Sequence, residues 1–110
     1  MRILGFSQKW QKLSNPEFST FRFPRRDRDW QEGEVVQIVY KPRSRNRKVL
    51  GIAQIMSKEC REMYMFTIHR DSEAINDGFS SWHEMLIWIN ETHGDRWKYE
   101  PMNKLTLRWE

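Results

Sequence analysis

Two short stretches constrain the fold more than anything else in the chain. Glu34–Lys41, EVVQIVYK, is a near-continuous apolar run dense in β-branched residues, the pattern of a strand with a central place in a sheet. Glu17–Arg26, EFSTFRFPRR, alternates and then ends in a knot of arginines. On a strand, Glu17, Ser19, Phe21 and Phe23 share one face, and Phe18, Thr20 and Arg22 share the other. An aromatic on each face predicts that both faces are covered. We read the two stretches as neighbouring strands of one small barrel, with the arginines at its rim.

The remaining elements fall around these two. Arg2–Phe6 reads as a first strand, with Gly5 marking a bulge or a close backbone approach. Ser7 is a candidate N-cap for a short helix over Gln8–Leu13. Ser14-Asn15-Pro16 closes that helix, because a residue before proline avoids helical geometry. Lys41–Lys48 carries Pro42, Ser44 and Asn46 and reads as a turn. Val49–Met56 returns as the next strand, with Gly51 a second candidate bulge. The two strands make a ribbon with a basic tip. Met63–Ile68 reads as a further strand. Asp71-Ser72 caps a helix of one to two turns that Asp77-Gly78 closes. The clearest helix follows, capped by Ser80 or Ser81. Glu84 sits at the capping-box position, Trp82, Met85, Leu86 and Ile89 fall at helical spacing, and Gly94 is the stop. Lys104–Trp109 alternates and reads as the last strand. The expectation is an α+β domain: a small β-barrel of five to six strands with two or three packed helices.

At 110 residues this is one domain. Six tryptophans within a 14% aromatic content supply the buried area that a modest 38% apolar fraction would otherwise lack. The net charge of +4 suits a polyanionic partner. Cys60 is the only cysteine, which excludes an internal disulfide and suits a reducing cytoplasm. No apolar run approaches the roughly 18 residues of a membrane helix, and no signal-peptide core is visible near Met1. His69, His83 and His93 match no metal-ligand spacing. No glycine-rich phosphate loop, Ser-His-Asp order or paired-carboxylate signature is present. No cofactor, metal or membrane is expected; RNA or another nucleic acid is.

Candidate nucleic-acid-binding residues lie in three groups. Arg22 shares a face with Thr20, where a guanidinium can fork onto a phosphate or a base edge; the plain alternative is a rim ion pair with Glu17, Asp27 or Asp29. Arg25, Arg26 and Arg28 form the first basic cluster, interleaved with Asp27 and Asp29. Lys41, Arg43, Arg45, Arg47 and Lys48 form the second and denser one, with no acid among them. A ribbon with this tip suits a phosphate backbone, or it is an edge hairpin kept soluble by charge. Lys9 and Trp10 add a cation beside a base-stacking ring; such a tryptophan is more often a core residue.

The order of elements, with ILGFSQKW (3–10), EFSTFR (17–22), GEVVQIV (33–39), AINDGF (74–79) and NKLTLRW (103–109), resembles the ASCH domain of the PUA-like superfamily, most closely its small stand-alone members from bacterial and phage genomes. The resemblance spans nearly the whole chain and implies a PUA-like barrel that binds RNA or a modified nucleotide. The family's signature places Gly, Lys, Glu and Arg at steps of two, three and two. Here those places hold Asn15, Glu17, Thr20 and Arg22, so only the arginine is kept. One branch of the family hydrolyses an acetylated cytidine with Lys, Thr and Glu. The resemblance then implies Thr20 as nucleophile, Asp77 near the Glu, and Glu17 where the Lys would be. A carboxylate there can accept a proton but cannot steady an oxyanion; Lys9 or Lys12 would have to supply that charge. Two readings stand: a binding module, and an amidohydrolase with an altered motif. A third is an accessory protein whose basic face meets a host protein.

Overall fold

The computed structural model describes residues 1–8, 10–63 and 71–110. Among the described residues it is an α+β fold of five strands and two α-helices. The strands are β1 (Arg2–Phe6), β2 (Glu17–Arg22), β3 (Val35–Tyr40), β4 (Lys48–Arg61) and β5 (Met102–Trp109). The helices are α1 (Asp71–Asn76) and α2 (Trp82–His93). The strands form one mixed sheet in the order β1-β3-β4-β5-β2, with β1 parallel to β3 and every other pair antiparallel.

β4 shapes the sheet. It runs for 14 residues, its first part pairing with β3 and its later part with β5. Two register shifts interrupt it, one leaving Leu50 unmatched against β3 and one leaving Met56 unmatched against β5. Extra residues of this kind bend and coil a strand. The coiling carries the two ends of the sheet toward each other: Phe6 of β1 and Phe18 of β2 meet edge to face with ring centres 6.1 Å apart. Inside the curl lies a first core containing Leu4, Phe6, Phe18, Ile38, Ile55 and Leu107. Each fully buried side chain of this size contributes about 1.5–3 kcal/mol.

A second core, with Phe21, Met63, Ala74, Met85, Ile89 and Met102, lies where α1 and α2 pack on the other face of β2 and β5. Both faces of β2 are therefore covered, Phe18 in one core and Phe21 in the other. α2 starts as its sequence dictates: the Ser81 hydroxyl accepts from the Glu84 N–H at 3.1 Å. The reciprocal arm differs, since the Glu84 carboxylate takes the Ser80 hydroxyl. Gly94 ends the helix at φ 75°, a left-handed value that favours glycine.

Three expectations are corrected. β2 and β3 are not neighbours; β4 and β5 stand between them. β-branched density marks an interior strand, and β3 is one, but it carries no information about partners. The helix over Gln8–Leu13 is instead one turn of 3-10 helix at Gln11–Ser14 with Trp10 before it. Leu13 N–H bonds Trp10 O at 3.1 Å, and Pro16 leaves no room for another turn. β4 extends past Met56 to Arg61, because the bulge resets its alternation and hides the continuation from a period-two reading. The strand expected at Met63–Ile68 lies outside the described residues except for Met63, which is buried. Among the described residues no helix is long and apolar enough to cross a membrane.

Candidate functional site

A cavity of about 1000 Å³ opens between the β1–β2 ends of the sheet and the helices. β2 supplies its floor, with Thr20 and Arg22. α2 supplies one wall, with Trp88 and His93, and the basic loop supplies the opposite lip, with Lys41 and Arg43. The loop is fixed there by a close approach. A Cβ on Gly5 would stand 2.5 Å from the Pro42 ring, so only glycine lets β1 and the loop touch. Lys41 enters the loop at φ 49°, a left-handed value.

Six cationic side chains border this cavity: Lys12, Arg22, Arg25, Lys41, Arg43 and Arg96. Among the described lining residues Asp77 is the one carboxylate, and it is already engaged. Asp77 sits buried just past α1, accepting from Lys12 Nζ at 3.0 Å and from the Ser19 hydroxyl at 3.2 Å. Burial pushes the Asp77 carboxyl above its ordinary range and the Lys12 ammonium below its own. Each charge opposes the other's shift, and the pair does not fully offset its own desolvation. Arg25 leans on Asp27 at 3.3 Å, and Arg96 on Glu100.

Arg22 has no such partner. Its Nε donates to the Thr20 hydroxyl at 3.1 Å, and its guanidinium carbon lies 4.6 Å over the Phe6 ring. Its terminal nitrogens bond no described residue, and they are open to the cavity rather than sealed. Burial lowers its pKa to about 10, offset only in part by Asp77. A guanidinium is a fork of five donors shaped for a carboxylate or phosphate; here one donor is used within the protein and the rest face a hollow.

The inner wall is aromatic. Trp10, Phe79 and Trp88 are half-buried and mutually in contact, at centre distances of 5.1 Å (Trp10–Phe79), 5.9 Å (Trp10–Trp88) and 5.7 Å (Phe79–Trp88). Gly78 lets Trp10 lie there: its φ is 105°, and a Cβ would come 3.1 Å from the indole.

The cavity thus gathers part of what the sequence singled out: Trp10, Thr20, Arg22, Arg25, Lys41, Arg43 and Asp77. Arg26, Arg28, Arg45, Arg47 and Lys48 are exposed outside it, and Arg28 stands 3.6 Å from Glu34. Lys9 lies outside the described residues. Glu17 is a correction. It is exposed and bound to Arg108 of β5 at 2.7 Å, on the strand face that Thr20 does not share. It sits at the start of β2, away from the Thr20–Arg22 end that borders the cavity, and the cation near Asp77 is Lys12. The rim ion pair for Arg22 is likewise not formed with Glu17, Asp27 or Asp29.

His93, Arg96, Phe79 and Trp88 went unread as cleft residues. Trp88 lies on α2 beside the apolar positions, and helical spacing does not show that this face ends at an opening. Arg96 follows the Gly94 stop, where no periodicity applies. Compared with family models, with curated proteins and with solved structures, the chain matches none.

Proposed function

We propose that this chain is a PUA-like module of the ASCH type that holds RNA, or a modified nucleotide, in the basic cleft over β2. The observation that carries the reading is Arg22, a desolvated guanidinium whose free donors face a cavity with no carboxylate left to meet them. Lys41 and Arg43, which make no ion pair among the described residues, extend the positive lip. The half-buried Trp10–Phe79–Trp88 wall suits a base that has left its stack, a contact worth about 1–3 kcal/mol. The sequence resemblance to ASCH domains points the same way. The test is fluorescence anisotropy with a short single-stranded RNA and its duplex, over a range of salt. Tighter binding of the single strand, weakening steeply with salt, supports the reading; no binding at low salt overturns it.

One observation favours an amidohydrolase as a second reading: Lys12, Asp77 and Thr20 border the same cavity. Thr20 would be the nucleophile, Lys12 the oxyanion's cation and Asp77 the base. The hydrogen bonds weigh against it, because the Thr20 hydroxyl is bound by Arg22 while Asp77 holds Lys12 and Ser19; a base within reach of its nucleophile is the usual arrangement. Deacetylation of N4-acetylcytidine that is lost in Thr20→Ala would establish the enzyme. No turnover by the wild-type protein would leave binding alone.

A further inference from the structure

The cleft has a second positive centre at the α2 end. His93 is the last residue of α2 and borders the cavity with Arg96, from the turn that follows. Phe23, just beyond β2, ties the two together. The His93 ring meets Phe23 edge to face at 5.5 Å, and the Arg96 guanidinium carbon lies 4.2 Å over the same ring. Arg22 precedes Phe23 in the chain and faces the same hollow.

We propose that Arg22, His93 and Arg96 form a subsite for the terminal phosphate monoester of a nucleotide, with His93 taking up a proton as the dianion binds. This rests on the anion-binding reading of the cleft and narrows its ligand.

Among the described residues the charged groups acting on His93 are Arg22 from β2 and Arg96 from the turn after α2. Asp95 on that turn is exposed, and Glu100, just past it, is held by Arg96. The Thr92 hydroxyl is committed to the Trp88 carbonyl and adds no donor. Burial first, then Arg22, then Arg96, hold the His93 imidazole below its ordinary value. A dianion seated among them reverses the two electrostatic causes, so the bound-state pKa of His93 exceeds the free-state one. Affinity then rises as pH falls through the bound-state value and levels off below the free-state value. A monoester carries about one charge more than an internal diester, and with positive groups on both sides that extra charge is attracted.

Sulfate is the probe for the proton linkage, because it stays divalent while a phosphate monoester itself titrates near pH 6. His93 is followed by NMR, its resonance assigned with the variant H93Q, and sulfate affinity is measured from about pH 8 to about pH 5.5. The expected result is a His93 pKa raised by bound sulfate and affinity rising about tenfold, since one unit of pKa shift is a factor of about ten. In H93Q the pH dependence of sulfate affinity is lost. Cytidine 5′-monophosphate is also expected to bind more tightly than its 5′-methyl ester. Sulfate that binds without moving His93, or equal affinity for the ester, overturns the subsite and leaves the Arg22 reading standing. Absence of binding by both sulfate and the monophosphate overturns both.

Discussion

Two charged regions of this molecule treat their ions in opposite ways. At the β1–β3 end, Arg2 makes two bonds of 2.6 Å to the Glu34 carboxylate, stacks on Trp30 at 4.5 Å, and donates to the carbonyls of Arg28 and Asp29. The Glu34 contact raises Arg2, and the Arg2 hydrogen bond lowers Glu34. Asp29 is lowered as well: burial acts against it, but bonds from Asn103, two backbone N–H groups and Lys58 outweigh burial. Each of these shifts favours the charged form, so folding gains from the ions. Across the cleft the signs reverse. Asp77 is raised, Lys12 and Arg22 are lowered, and burial is the leading cause each time. A protein that satisfies one set of ions so completely leaves the other costing stability. That is the arrangement expected of a site kept for a ligand.

The comparison breaks most visibly at Asp77. Asp77→Ala leaves Lys12 buried without its carboxylate and is expected to cost about 3–5 kcal/mol by urea unfolding. The double variant Lys12→Met/Asp77→Leu is expected to return to within about 1 kcal/mol of wild type or exceed it. A double variant as weak as the single one would mean that the pair supports the fold rather than burdening it.

At the other region Glu34→Gln is expected to cost about 2 kcal/mol near neutral pH, the range for hydrogen bonds to a charged group. Its pH dependence carries the sign. Glu34 is lowered by folding, so its contribution is full above the ordinary carboxylate range and disappears as pH falls through its depressed value. The gap between variant and wild type should therefore close in acid. Asp77, being raised, behaves oppositely: its contribution is present below the unfolded value and lost as pH rises through the folded one. Asp77→Asn, measured over the same range, should show its gap shifting in favour of the variant as pH rises.

The smallest effects separate cleft from surface. Arg43 borders the cavity, whereas Arg45 and Arg47 do not. Reversing the charge of all three should weaken RNA binding and lower its salt slope by about one for each phosphate that the loop no longer neutralises. Arg43→Glu alone should reduce mononucleotide affinity, and Arg45→Glu alone should leave it unchanged. Equal effects on the mononucleotide would show that the loop acts as a diffuse positive field rather than through the cleft.

Much of this was legible in the residues. Alternation in EFSTFR put an aromatic on each face of β2, so that both faces are covered, and set Thr20 and Arg22 on one face and Glu17 on the other. Ser81, Glu84 and Gly94 bounded α2, and Gly5 marked a close approach. What escaped was partner choice and the second bulge. Nothing in VVQIVY says that β1 rather than β2 lies beside it, because pairing depends on how β4 bends; Gly51 marked the first bulge, beside Leu50, but Met56 carries no mark of being an extra residue. The cleft was half visible for the same reason. Its floor follows strand period, but Lys12, His93 and Arg96 come from a 3-10 turn, a helix end and a post-helical turn, where residue spacing does not set direction.

The central claim is that Arg22 is held at a cost to the fold so that an anion can use it. The most direct measurement compares Arg22→Met with wild type in two readouts, thermal unfolding and single-stranded RNA affinity. The account predicts an unfolding temperature equal to or above wild type together with an affinity loss of about 2–4 kcal/mol. A variant that melts well below wild type while binding RNA as tightly would contradict it.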